Sequence, residues 1–175
     1  MEASLSKARI EELFRALDEE LRRLGVVGEL HVVGGAVLCV ALNARPATRD
    51  ADAYFEPTKT VREAAARVAA SLDVPEGWLN DAVKRFMSPN GDYRTFLELE
   101  NLRVMMAQPE YLLAMKCLAF RLGAEFHDEA DVRYLLRYLN IERYDAALAV
   151  ITRYYPRERF PQKAFYALEE ILGPG

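Results

Sequence analysis

The chain has 175 residues, a mass of 19.9 kDa and a net charge of −4; 51% of it is hydrophobic and 29% charged. That is the composition of one folded domain, or of one domain with a helical extension, and it excludes a disordered or fibrous chain. No apolar run approaches the roughly 18–20 residues of a membrane helix, and the polar start from Met1 to Lys7 carries no secretory signal, so a cytoplasmic protein with no membrane partner is expected.

The first element is a helix over 4–24, with Ile10, Leu13, Phe14, Leu17, Leu21 and Leu24 at helical spacing. A short strand over 29–33 follows and stops at Gly34-Gly35. The spacing then predicts an apolar helix over 36–42, a loop over 43–49 containing Pro46, and a second strand over 50–55. Thr60 and Glu63 have capping-box spacing ahead of an alanine-rich helix ending near Leu72. A helix over 78–87, a turn over 88–91 and two strands over 93–99 and 102–106 complete the first two thirds. From Pro109 the pattern is helical, over 109–122, 127–139, 142–155 and 161–172. Pro109 and Pro161 suit first-turn positions. The layout is an α/β (α+β) unit over 1–107, a small mixed sheet flanked by helices, and a helical unit over 108–175.

Cys39 and Cys117 lie far apart in apolar helical contexts and are expected as buried free thiols. His31 and His127 are too few for a histidine-based metal site.

The informative stretch is Gly34-Gly35, then 14 residues, then Asp50-Ala51-Asp52. Two glycines between strand and helix let backbone N–H groups approach phosphate oxygens. Asp50 and Asp52, two apart in a strand, leave the same face. Paired hard carboxylates repel unless a cation such as Mg²⁺ sits between them. Either feature alone is ordinarily a tight turn or a solvated strand end; together they equip a chain for attack on a nucleotide α-phosphate.

Val-Val-Gly34-Gly35-Ala followed by Arg45-x-x-Thr48-x-Asp50-x-Asp52 resembles the active-site signature of the nucleotidyltransferase-fold superfamily. It is most similar to the minimal and AbiEii-type members of type IV toxin–antitoxin pairs. The stretch from Pro109 to Arg121, with Lys116 inside it, looks like that family's lysine helix, and Asp128-x-x-Asp131 opens the next one. The likeness covers about residues 30–55 and 109–140. It implies two Mg²⁺ ions on Asp50 and Asp52 and a nucleoside triphosphate bound by Gly34, Gly35, Arg45, Thr48, Arg49, Lys116 and Arg121, with Asp128 and Asp131 in support. The 14-residue gap is longer than in the most compact members. The superfamily also uses a third carboxylate on a neighbouring strand, for which Glu98 and Glu100 are the candidates.

Alternatives stand beside these roles. Lys116 is the only charged residue between Tyr111 and Phe120; it can serve a triphosphate or snorkel at the helix edge. Asp128 and Asp131 share a helix face and can orient Lys116 or Arg121, or simply favour a helix N-terminus. Arg45 and Arg49 can bind phosphate or be surface arginines.

Residues 133–163 hold seven basic and three acidic side chains with five tyrosines interleaved. That surface fits an RNA acceptor, a partner protein or a second subunit, or is ordinary helix faces over buried tyrosines. Two functions follow. One is a Mg²⁺-dependent nucleotidyltransferase acting on a hydroxyl of RNA, for example tRNA, or of protein, with a cognate antitoxin as a candidate partner. The other is a catalytically inactive binding module that senses nucleotide or holds a partner.

Overall fold

The computed structural model describes residues 4–121 and 127–175. The chain is mixed α/β and divides into two compact units. Unit 1 comprises 1–85 and 93–107; unit 2 comprises 86–92 and 108–175. The segment 86–92 thus interrupts unit 1 in sequence and belongs to the helical unit.

Unit 1 opens with β1 (Leu5–Ser6), whose Ser6 caps α1 (Lys7–Leu24) by accepting the Arg9 N–H at 3.2 Å. Ile10, Leu13, Phe14, Leu17 and Leu21 are fully buried, as their spacing requires, whereas Leu24 at the helix end is 41% exposed. Then come β2 (Gly28–Val33), α2 (Gly35–Val40), β3 (Ala47–Thr48), β4 (Ala51–Glu56), α3 (Thr58–Leu72), β5 (Leu79–Asn80), β6 (Tyr93–Glu98) and β7 (Leu102–Ala107). The main sheet has the order β5-β4-β2-β7-β6. β2 runs antiparallel to β4 and parallel to β7, β4 runs parallel to β5, and β6 runs antiparallel to β7. β1 and β3 form a separate two-stranded ribbon.

Alternation sets the two sheet faces. Leu30 and Val32 of β2, Ala51, Ala53 and Phe55 of β4, and Leu102, Val104 and Met106 of β7 are buried. Asp52, Tyr54 and Glu56 lie on the other face of β4, with His31 opposite Tyr54 and Glu29 opposite Glu56.

Three expectations change. The loop over 43–49 contains β3, which zips onto β1 with Leu5 opposite Thr48. α3 begins at Thr58 behind Pro57 and has no side-chain cap, so Thr60 lies inside the helix rather than before it. The helix over 78–87 is instead β5 flanked by two 3₁₀ turns, Glu76–Trp78 and Ala82–Phe86. Burial decides that last case. Trp78 is fully buried, its indole N–H donates to the Ala65 carbonyl at 3.0 Å, and Leu79 and Asn80 extend the sheet beside Ala51 and Asp52. Pairing on an open sheet edge outweighs a weak helical propensity.

Unit 2 contains α4 (Pro109–Leu118), α5 (Asp128–Tyr138), α6 (Tyr144–Ile151) and α7 (Gln162–Leu172). Pro109 takes a first-turn position of α4, and Pro161 is the residue before α7. Its core holds Tyr111, Leu112, Leu135, Ile151, Tyr155 and Leu168. The interrupting segment is held by tyrosines: the Ser88 N–H donates to the Tyr111 hydroxyl at 2.8 Å, and the Tyr154 hydroxyl donates to Asp92 at 3.1 Å. Cys39 and Cys117 are both buried and free. Burial pushes the Cys117 thiol up to about 12, so it stays protonated and inert. Among the described residues, no helix is long and apolar enough to cross a membrane.

Candidate functional site

The first cluster is built where β2 ends. Gly34 has φ 71° and ψ −149°, a region open in practice to glycine alone. A Cβ there would lie 3.3 Å from Asp52 Oδ2, so the turn sits directly against that carboxylate. Gly35 is tighter still: a Cβ would meet Arg45 Nη1 at 2.8 Å and Thr48 Oγ1 at 3.0 Å. The two glycines therefore let a carboxylate on one side and a guanidinium and a hydroxyl on the other pack directly against the turn backbone. α2 has only six residues, too short for its dipole to add much.

The strand that follows supplies the pair. Asp52 is the second residue of β4 and pairs with Val33, next to the glycine turn. Asp50 stands just before β4, and Thr48 Oγ1 donates to its carbonyl at 3.3 Å. Asn80 of β5 donates its Nδ2 hydrogen to Asp50 Oδ2 at 3.2 Å. Burial raises the Asp50 pKa, only partly offset by this hydrogen bond and the nearby charge of Arg49. Gly34, Gly35, Arg45, Thr48, Arg49, Asp50 and Asp52 thus gather at one end of the sheet.

Asn80 was not legible as a site residue, because its segment reads as helix. Three further residues share the Asp52 face of this sheet: Tyr54, His31 with its ring 6.0 Å from that of Tyr54, and Tyr93 at 4.8 Å from His31. The alternation from Asp52 to Tyr54 was the available signal for them. His31 Nε2 lies 3.2 Å from Glu29 Oε1, and its Nδ1 is buried without a hydrogen-bond partner.

Glu98 and Glu100 do not join this cluster. Glu98 pairs with Arg103, which pairs with Glu29, which pairs with Glu56, so all four lie at the opposite end of the sheet. Asp52 and Glu98 are separated by about 13 Å along the strands and about 14 Å across them. Glu98 is ion-paired with Arg103 at 3.5 Å, and Glu100 lies in the turn after β6, 3.5 Å from Arg22. A β-bulge between Thr95 and Leu97 also interrupts the regular alternation of this strand. At the level of Asp52 the two neighbouring strands carry Val33 and Asn80, and β7, beyond β2, carries Ala107 one residue past the Val32–Met106 pair.

The second cluster lies in unit 2. Lys116 of α4 places Nζ 2.8 Å from Asp131 and 3.3 Å from Asp128, with its side chain 15% exposed. Asp128, almost fully buried, also accepts the Arg121 backbone N–H and Nε–H, each at 2.9 Å. Burial alone would raise the Asp128 pKa; the Arg121 hydrogen bonds and the charges of Lys116 and Arg121 reverse that and hold it below the ordinary carboxylate value. Asp128 and Asp131 orient both cations, one of the roles expected for them, and they also occupy the first turn of α5.

Two hard carboxylates, Asp50 and Asp52, are donors of the kind a divalent cation takes. Among the described residues no group of three or more His, Cys, Asp or Glu side chains converges on one point. Comparison with protein-family models, with curated proteins and with solved structures gave no match.

Proposed function

We propose that the Gly34–Asp52 cluster binds a nucleoside triphosphate and transfers its nucleoside monophosphate to a hydroxyl of RNA or protein, releasing pyrophosphate. One observation carries this reading: Arg45 and Thr48 pack against Gly35 and Asp52 packs against Gly34, so a guanidinium, a hydroxyl and a carboxylate meet at one glycine turn. Guanidinium and hydroxyl groups held in place are donors suited to phosphate oxygens, and the carboxylates to the metal that accompanies them. Asp50 and Asp52 would hold a Mg²⁺ ion, which supplies positive charge at the α-phosphate. Asn80 fixes the Asp50 carboxylate, and Thr48 fixes the loop that carries Arg45 and Arg49. The resemblance adds a regulatory protein as a partner.

A second reading is favoured by the sheet itself. With Val33 and Asn80 beside Asp52, Ala107 one strand further and Glu98 at the far end, no third carboxylate flanks the pair on β2, β5 or β7. That suits a domain that binds nucleotide without turning it over, and it restricts the cation site to the Asp50–Asp52 pair.

Thermal stability with each nucleoside triphosphate, with and without Mg²⁺, tests both readings. Ligand at 100 times its Kd adds about 2.7 kcal/mol, a shift of several degrees. The shift should require Mg²⁺ and vanish in Asp50→Asn/Asp52→Asn. Label transferred from an α-³²P nucleotide to RNA or protein then establishes the enzyme. A Mg²⁺-dependent shift without transfer establishes the binding module. No shift with any nucleotide overturns both.

A further inference from the structure

A basic patch outside the two clusters lies in unit 2, between α6 and the middle of α7. Arg153, Arg157, Arg159 and Lys163 are all exposed, with one carboxylate, Glu158, among them, in a chain whose net charge is −4. None of the four lies in an ion pair among the described residues. By contrast Arg9, Arg22, Arg23, Arg62, Arg133 and Arg143 each have a carboxylate partner.

What holds the three arginines is aromatic. Arg153 lies 5.6 Å from the centre of the Tyr154 ring, Arg157 4.8 Å from Phe165 and Arg159 5.2 Å from Tyr155. The rings beneath are buried and continuous: Tyr155 meets Phe160 edge-on at 5.8 Å, and Phe160 meets Phe165 at 6.1 Å. Arg159 and Arg157 therefore stand at the two ends of one rigid aromatic row. A guanidinium laid on a ring loses much of its rotamer freedom in advance, while its in-plane N–H donors stay available. Such a group binds a phosphate with little further ordering cost.

We propose that this arginine shelf, with Lys163 and the 62% exposed Tyr166 one turn further along α7, is a binding surface for single-stranded RNA. Fixed planar forks at defined spacing suit successive backbone phosphates, and an exposed tyrosine beside them can stack on an unpaired base. An anionic membrane is the less suitable partner, because Tyr166 is the only large exposed apolar side chain among the described residues of this patch. The inference rests on unit 2 alone, so it stands or falls separately from the Asp50–Asp52 reading.

Fluorescence anisotropy of the full chain with a labelled single-stranded RNA, its duplex and equimolar phosphatidylcholine–phosphatidylserine vesicles tests it. At about 50 mM salt the single strand should bind, and log Kd should rise with log salt at a slope of about 3, for four phosphate contacts. Arg157→Gln/Arg159→Gln should weaken binding about tenfold or more and lower that slope by about 1.4. Arg157→Lys/Arg159→Lys keeps the charge and should recover only part of the loss. Tyr166→Ala should weaken the single strand and leave the duplex unchanged. An unchanged melting temperature in the variants ties the loss to the surface. RNA binding that is absent, or equal in wild type and Arg157→Gln/Arg159→Gln, overturns the proposal, as does binding to vesicles in preference to RNA.

Discussion

Two cations converge on Asp128, an almost fully buried carboxylate. It accepts from Lys116, from the Arg121 side chain and from the Arg121 backbone, while 97% of its side-chain surface is lost from solvent. Removing it leaves Lys116 with Asp131 alone, so Asp128→Ala should destabilise unit 2 by on the order of 3 kcal/mol, read by chemical denaturation. Its pKa is depressed on folding, so the unfolded state binds the proton more tightly. The stabilisation is therefore complete above about pH 4 and is lost as the pH falls through the lower folded value. An acid titration of stability should show that loss, and Asp128→Asn should flatten it. Gly34→Ala belongs to the same scale. The φ of 71° with ψ of −149° resists any Cβ, so the variant should lose about 1–3 kcal/mol of stability, read as a drop in melting temperature. The Gly-Gly and Asp-x-Asp positions were legible because each residue type has a local meaning. Asn80 was not, because its role depends on a side-chain hydrogen bond to Asp50, 30 residues away.

At the level of elements, the sequence pattern marks the long helices and the six-residue strands well and the two-residue strands poorly. α1 and β2 follow from their own periodicity. β5 has only two residues, carries no pattern of its own, and exists because Trp78 anchors the chain ahead of it. Trp78→Ala should therefore cost about 3–5 kcal/mol. It should also free Asn80 from Asp50, so that the Mg²⁺-dependent nucleotide shift shrinks even where the chain stays folded. Thermal scans of the variant with and without nucleotide measure both effects. The third-carboxylate candidates failed for a related reason. Alternation assigns faces within a strand, but which end of the sheet a residue reaches depends on register, and a bulge between Thr95 and Leu97 alters even the faces.

Across the whole molecule, the chain passes between the two units three times, after 85, after 92 and after 107. A boundary at 107 is natural in sequence, since strands give way to helices there. It overlooks 86–92, whose anchors Tyr111 and Tyr154 lie far along the chain. A fragment of 108–175 should accordingly be less stable than unit 2 in the full chain, because the buried Tyr111 hydroxyl loses the Ser88 N–H. Circular dichroism of that fragment, alone and with a peptide of 86–92 added, should show poor folding that the peptide partly restores.

The same threading has a consequence for descent. A genetic exchange at any single point from codon 93 to codon 107 would give a daughter chain the 86–92 segment of one parent and the tyrosines that hold it from the other. Asp92 and Tyr154, whose side chains bond to each other, would then come from different parents, so such an exchange is tolerated only where both parents carry the pair.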